Sequence, residues 1–303
     1  MSVSRHAARP AFFRAALAAL ALAVAWAIPA RAAAADGLTD ALRVAMELSA
    51  EGDHHGAAVE FRRLALSAPD AAARGACFWS AGHEYWKDGG HGPAAAMLDR
   101  AEDADPSLRA PALLLRAENA ASERAYDEAA FYFDDWLRME RDPAARSYAA
   151  RRLACVRLRQ GRPDDAREAL RGEPDAAAAR LEAVDAWERG PRRSPRVGGL
   201  LGLIPGLGYG YSGEWANAAR SAILNGLFIY GLVATADDEQ WGAFTAIAFF
   251  ELTWYSGSVY GGLDAAHRFN ARRLDEACDA ILGGAAFEPD FTALPVLRLR
   301  YVF

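Results

Sequence analysis

The stretch Leu203–Gly226, "LIPGLGYGYSGEWANAARSAILNG", decides how the second half of the chain is read. It contains a literal G-x-G-x-x-G at Gly208, Gly210 and Gly213, running into a helical pattern. A dinucleotide turn needs a strand before it, an amphipathic crossover helix after it, and an acidic residue about 20 positions on for the ribose. Here the preceding "VGGLLGLIPGLG" is too rich in Gly and Pro for a central strand, and the run that follows is apolar for about the length of a bilayer core. No G-K-[ST] completes a phosphate-binding loop. The stretch therefore reads as a compact bend. Pro205 fixes φ, while Gly206, Gly208 and Gly213 permit left-handed backbone and close helix contact. Such a bend is expected to dip into a membrane interface as a pair of half-helices and to fit tightly against the helices that follow.

Two apolar runs follow, Ala216–Ala236 and Trp241–Ala266, separated by "DDEQ". Trp215, Tyr230, Trp241, Trp254, Tyr255 and Tyr260 lie towards their ends, which suits interfacial anchoring. The pattern predicts a transmembrane helical hairpin, with a buried helix pair of a soluble domain as the alternative. Its polar interior is the sharpest functional lead. Glu251, Tyr255, Ser258 and Gly262 share one helical stripe, and Arg220 and Asn225 lie on the other run. An ionisable group within a membrane is costly unless paired. Glu251 is thus expected to bond Asn225, Tyr211 or amides of the glycine bend. The functional alternative, an ion or substrate path, needs more than two spans and hence a homo-oligomer.

The first half carries a repeat. From Leu38 to Arg189 the periodicity is helical, and "DHHGAAVEFRRLALSAP", "GHGPAAAMLDRAEDADP", "RAYDEAAFYFDDWLRME" and "GRPDDAREALRGEP" align. Ala57, Ala94, Ala129 and Ala166 recur at spacings of 37, 35 and 37, each followed four residues later by Phe61, Leu98, Phe133 or Leu170. Alanine on the second helix of a pair lets the first approach, and the larger residue one turn on fills the remaining space. A lone pair cannot bury its apolar face, so neighbours must stack.

This pattern resembles the tetratricopeptide repeat, a helix-turn-helix unit of about 34 residues. The second unit matches best, with Gly82, Tyr85, Ala94, Ala101 and Pro106; the first has Ala57, Phe61 and Pro69, and the third and fourth are degenerate. The resemblance implies a helical solenoid whose groove captures protein partners.

Composition narrows the remaining classes. The 303 residues carry 34 basic and 40 acidic side chains, net −6, so no global basic field points to nucleic acid. Residues 1–35 read as a secretory leader: Arg5, Arg9 and Arg14, an apolar run to Ile28, then "PARAAAADG". An uncleaved anchor helix is the alternative. Cys77, Cys155 and Cys278 are scattered and form no C-x-x-C; Cys77 and Cys155 read as small buried hydrophobes. His54, His55, His83 and His91 read as solvated surface rather than metal ligands. No catalytic constellation, metal or cofactor is expected.

The predicted organisation is mainly α: leader 1–35, tetratricopeptide-like repeats 36–189, a basic Pro/Arg linker 190–196, a bend with two membrane helices and an amphipathic tail helix over 197–285, and a strand-like tail 286–303. The tail's "LPVLRLRYVF" alternates Leu297, Leu299 and Tyr301 with Arg298 and Arg300. The layout of Pro205, Gly206, Gly208 and Gly213, with the later "ELTWYSGSVYGGLDAAHRFN", resembles a group of bacterial envelope proteins, and distantly TM2-like and P13-like membrane segments. That resemblance implies membrane residence. The combined expectation is an exported, non-enzymatic scaffold with membrane lipid and protein as partners and its repeats in the periplasm. One conflict stands within it: if the repeats are exported, the Arg-rich flanks of the hairpin lie outside and the acidic turn inside, against the positive-inside rule.

Overall fold

The computed structural model describes residues 32–171 and 177–283; most of the leader and the strand-like tail lie outside the described residues. The described chain is helical, with no strand among these residues. It divides into two compact units, the first ending at Ala177 and the second spanning Ala178–Gly283.

The first unit contains α1 (Ala32–Glu51), α2 (His54–Ser67), α3 (Ala71–Lys87), α4 (His91–Ala104), α5 (Arg109–Ser122), α6 (Tyr126–Met139), α7 (Pro143–Arg159) and α8 (Pro163–Leu170). Local chemistry sets these boundaries. Asp53 caps α2 by accepting from Gly56 N at 2.8 Å, and Asp70 caps α3 from Ala73 N at 2.8 Å. Asp142 caps α7 ahead of Pro143, whose missing N–H costs nothing in a first turn. Packing contacts run almost entirely between neighbours in the chain, from α1 on α2 through to α7 on α8. A nearest-neighbour array of this kind is what stacked helical hairpins produce.

The alanine pattern lies where the spacing places it. Ala57, Ala94, Ala129 and Ala166 sit on α2, α4, α6 and α8, the second helix of each hairpin, and none exposes any surface. Phe61, Leu98, Phe133 and Leu170 are buried one turn further on. Gly82 on α3 serves the same close approach, since a Cβ there would lie 3.1 Å from the Leu98 side chain and 3.3 Å from Ala94 O. Tyr85 is buried in the same core.

A second periodic signal lies in the turns. Gly52, Gly89, Arg124 and Gly161, between the two helices of successive hairpins, all take positive φ: 85°, 78°, 64° and 75°. Glycine adopts this backbone freely, whereas a side chain there costs about 1 kcal/mol or more. The third hairpin alone meets the requirement with a non-glycine residue.

The second unit contains α9 (Ala177–Arg189), α10 (Pro195–Leu201), α11 (Leu207–Tyr211), α12 (Trp215–Asp237) and α13 (Trp241–Leu282). Two boundaries differ from the sequence reading. α9, grouped by its pattern with the repeats, packs within the second unit: Arg180 donates to Ile281 O at 3.1 Å, and Arg273 donates to Ala186 O at 3.1 Å. The expected second span and tail helix are one continuous 42-residue helix, because nothing between Leu263 and Arg268 breaks the backbone ladder.

Two substitutions test the turn requirement. Arg124→Gly is expected to raise stability by about 0.5–1 kcal/mol, and Gly89→Ala to lower it by about 1 kcal/mol. Both are read as shifts in thermal unfolding. Equal effects of the two would contradict the argument.

Candidate functional site

The glycine bend is built by backbone touching backbone. A Cβ on Gly208 would lie 2.5 Å from Gly198 O and 2.7 Å from Gly262 Cα, so α10, α11 and α13 meet where none carries a side chain. Gly202 packs as closely on α13, with Ser258 O at 2.6 Å and Val259 Cα at 2.7 Å from its hypothetical Cβ. Gly206, at φ 90°, lies against the Ala218 carbonyl of α12. Gly213 also takes positive φ, at 78°, but faces open space. Pro205 sits in the turn between the two half-helices. The predicted tight fit of the bend against both long helices is thus present, centred on Gly262.

Polar groups surround this contact. Ser221 Oγ and Ser258 Oγ lie 3.2 Å apart and set the register of α12 against α13. Asn225 donates to Ser221 O at 2.7 Å, and the Tyr255 hydroxyl donates to Leu203 O at 2.6 Å, tying the bend to α13. Glu251 departs from expectation. It bonds neither Asn225 nor Tyr211 nor the bend amides. Tyr211 instead accepts from Ser194 N at 3.1 Å. Side chains lean towards the N-terminus of their own helix, so on antiparallel helices Asn225 and Glu251 lean away from each other. Glu251 Oε2 and Asn225 Oδ1 are buried and meet no hydrogen-bond donor among the described residues. Arg220 is exposed on α12 and joins neither group.

At the opposite edge of the bend lies a cluster the motif search missed. Arg268 donates from Nε and Nη2 to Glu214 at 2.9 and 2.7 Å, Asn217 donates to Glu214 at 2.8 Å, and Arg272 lies 3.6 Å from it. The hydrogen bonds from Arg268, aided by Asn217 and Arg272 against the opposing effect of burial, hold the Glu214 carboxyl at about 2. Asn270 accepts from Arg193 N at 2.9 Å and donates to Arg193 O at 2.7 Å, clamping the linker to α13. The available signal was positional: Glu214 precedes the first apolar run and Arg268 follows the second, so a hairpin brings them to one end.

The histidines also correct the sequence reading. His83 is buried and stacked on Trp79, with ring centroids 5.7 Å apart and planes at 6°. His54 Nδ1 lies 2.7 Å from Glu84 Oε2, Ser49 donates to Glu84 at 2.9 Å, and His91 Nδ1 lies 2.9 Å from Asn119 Oδ1. Burial alone would push Glu84 up, but hydrogen bonds from His83, His54 and Ser49 outweigh it and hold the carboxyl at about 2. In the next hairpin Glu118 accepts from Tyr148 at 2.8 Å and is paired with Arg152. Only His55, near Asp88, is a solvated surface group. These contacts join successive hairpins and fix their stacking, a role that apolar periodicity does not encode.

Cys77, Cys155 and Cys278 are buried and form no disulfide among the described residues, and burial pushes the Cys77 thiol up to about 12, far from a reactive thiolate. Among the described residues no group of His, Cys, Asp or Glu converges to hold a metal ion. No family model, curated protein or solved structure matches the chain.

The depressed Glu214 group sets a pH dependence. Its contribution to stability is fully present above its ordinary value of 4.5 and is lost as pH falls through about 2. Glu214→Gln is expected to lower stability by about 1 kcal/mol at pH 7, since its partner Arg268 is partly solvated. The gap from the native chain should close between about pH 4.5 and 2. Thermal unfolding across that range reads it, and a pH-independent gap would contradict the pairing.

Proposed function

We propose that the chain is a membrane-tethered, non-enzymatic scaffold of the bacterial cell envelope, which binds protein partners through a tetratricopeptide-like groove. The observation that carries the tether is the exposure of the hairpin. α12 is the one described helix long and apolar enough to cross a membrane, and only 11% of its most apolar window is buried within the chain. A core helix of a soluble domain would be mostly covered. Its 23 residues span about 34 Å, against a hydrocarbon core of about 30 Å. The first part of α13 pairs with it and is less apolar, carrying Thr245, Glu251, Thr253, Ser256 and Ser258. It nevertheless exposes Trp241, Phe249, Phe250, Leu252 and Trp254, which suits lipid contact. The nearest-neighbour array of the first unit supports the partner-binding half of the reading. The leader supports export, with the repeats in the periplasm.

The test is membrane fractionation of the full chain with an alkaline carbonate wash, followed by protease accessibility of the repeats in spheroplasts. The proposal expects a pellet resistant to carbonate and repeats cleaved from the periplasmic side. Release by carbonate would overturn the tether; protection of the repeats would place them in the cytoplasm and mean that residues 1–35 do not act as a secretory leader.

A second reading, a small oligomeric channel or transporter-like component, is favoured by the unpartnered acceptors of Glu251 and Asn225. Glu251→Gln separates the two. The scaffold predicts unchanged ion flux in proteoliposomes, whereas the channel predicts lost flux at normal abundance.

A further inference from the structure

Arg180 donates to Ile281 O, and the other arginines of the second unit fall into two sets. Arg268 and Arg272 face Glu214, Arg189 reaches Glu182 and Asp185, and Arg273 donates to Pro191 O and Ala186 O. Arg192, Arg193, Arg196 and Arg220 have no carboxylate partner among the described residues. Arg192 lies over the Trp187 ring at 4.6 Å. The Arg193 guanidinium is held between two rings, 4.8 Å from Tyr211 and 5.2 Å from Phe269, and its buried Nε has no acceptor. The Asn270 clamp fixes the backbone beneath it. Aromatic faces orient a planar guanidinium without neutralising it.

These cations border apolar surface. Arg196 is followed by Val197, Leu200, Leu203, Ile204 and Leu207, all exposed. Arg220 lies between exposed Trp215 and Ile223, near the same end of α12 and within a long side chain's reach of it. The charged residues at the other end of the hairpin are all acidic: Asp237, Asp238 and Glu239.

We infer that Arg192, Arg193 and Arg196, with Arg220 snorkelling from α12, bind the phosphate of anionic phospholipid headgroups at this end of the hairpin. The inference rests on the membrane reading and adds its lipid specificity. A free phosphate offers the same charge but not the acyl chains that would cover Val197, Leu200 and Ile204, so the lipid is the source. Each arginine near a charged surface is worth roughly a fivefold preference. Together, Arg192, Arg193 and Arg196 give roughly a hundredfold preference for phosphatidylglycerol over phosphatidylcholine.

The experiment uses the purified full chain in a neutral detergent, titrated with phosphatidylglycerol, phosphatidylcholine or inorganic phosphate. Thermal unfolding and native mass spectrometry of bound lipid are the readouts. Each variant is compared with its own lipid-free state, so a change in basal stability does not enter. Phosphatidylglycerol is expected to raise the unfolding temperature and remain bound, while phosphatidylcholine and phosphate do neither. The triple Arg192→Gln, Arg193→Gln, Arg196→Gln should lose that preference. A charge-matched control replacing the exposed Arg62, Arg74 and Arg141 of the first unit with Gln should keep it. A triple that retains the preference, or a control that loses it, overturns the assignment. Equal effects of phosphate and phosphatidylglycerol overturn the lipid source. Equal effects of the two lipids overturn the charge recognition and leave the tether standing. Absence of any lipid effect, together with release by carbonate, removes the membrane reading as well.

Discussion

The contact of Gly198, Gly208 and Gly262 is the constraint on which the second unit depends. With no side chains between them, α10 and α11 lie directly on α13, and Gly206 lets α12 close from the other side. Backbone approach of this kind gains dispersion contacts without burying large apolar groups. The bend and hairpin therefore cohere through their narrowest atoms, and Leu200, Ile204, Ile223, Leu227, Phe249 and Leu252 are left exposed. An apolar solvent makes that arrangement favourable, whereas in water these side chains would be left uncovered. The same contact determines where the polar groups go. The linker is drawn onto α13 beside Asn270, and Glu214 is brought within reach of Arg268.

The first unit is organised on the opposite principle. Its helices bury continuous side-chain cores, from Leu42 to Leu115 and from Leu113 to Val156, with Ala57, Ala94, Ala129 and Ala166 where one helix approaches the next. Glu84 of the second hairpin is satisfied from the first by Ser49 and His54, and Glu118 of the third is satisfied from the fourth by Tyr148 and Arg152. A buried carboxylate without donors is expensive, so these links penalise any other stacking register. The polar ladder supplies specificity to an alanine-rich interface that would otherwise slide.

Much of this was legible in the residues, and the omissions share one physical cause. The alanine spacing, the bulky residue one turn later and the glycine bend all express backbone proximity, which leaves a direct mark on composition. The isolation of Glu251 and the partners of His54, His83 and His91 do not, because a polar side chain's partner is chosen by tertiary register and by the direction in which the side chain leans. Glu251 and Asn225 share a helical seam yet point apart. Composition also failed at α9, which reads as a continuation of the repeats but whose Arg180 is held by the last turn of α13. The left-handed turns at Gly52, Gly89, Arg124 and Gly161 were readable but obscured, since Arg124 interrupts the glycine pattern. The expected strand at 286–303 lies outside the described residues.

The proposed tether requires one continuous helix, α13, to pass from lipid to water between Leu263 and Arg268. Single-cysteine accessibility along α13 in native membranes tests it most directly, because the three native cysteines are buried and contribute little background. With a membrane-impermeant maleimide, the account predicts that exposed positions from Thr245 to Leu263 stay unlabelled. Exposed positions from Asp264 to Glu276 should label readily. Uniform labelling of exposed positions along the whole helix would contradict it.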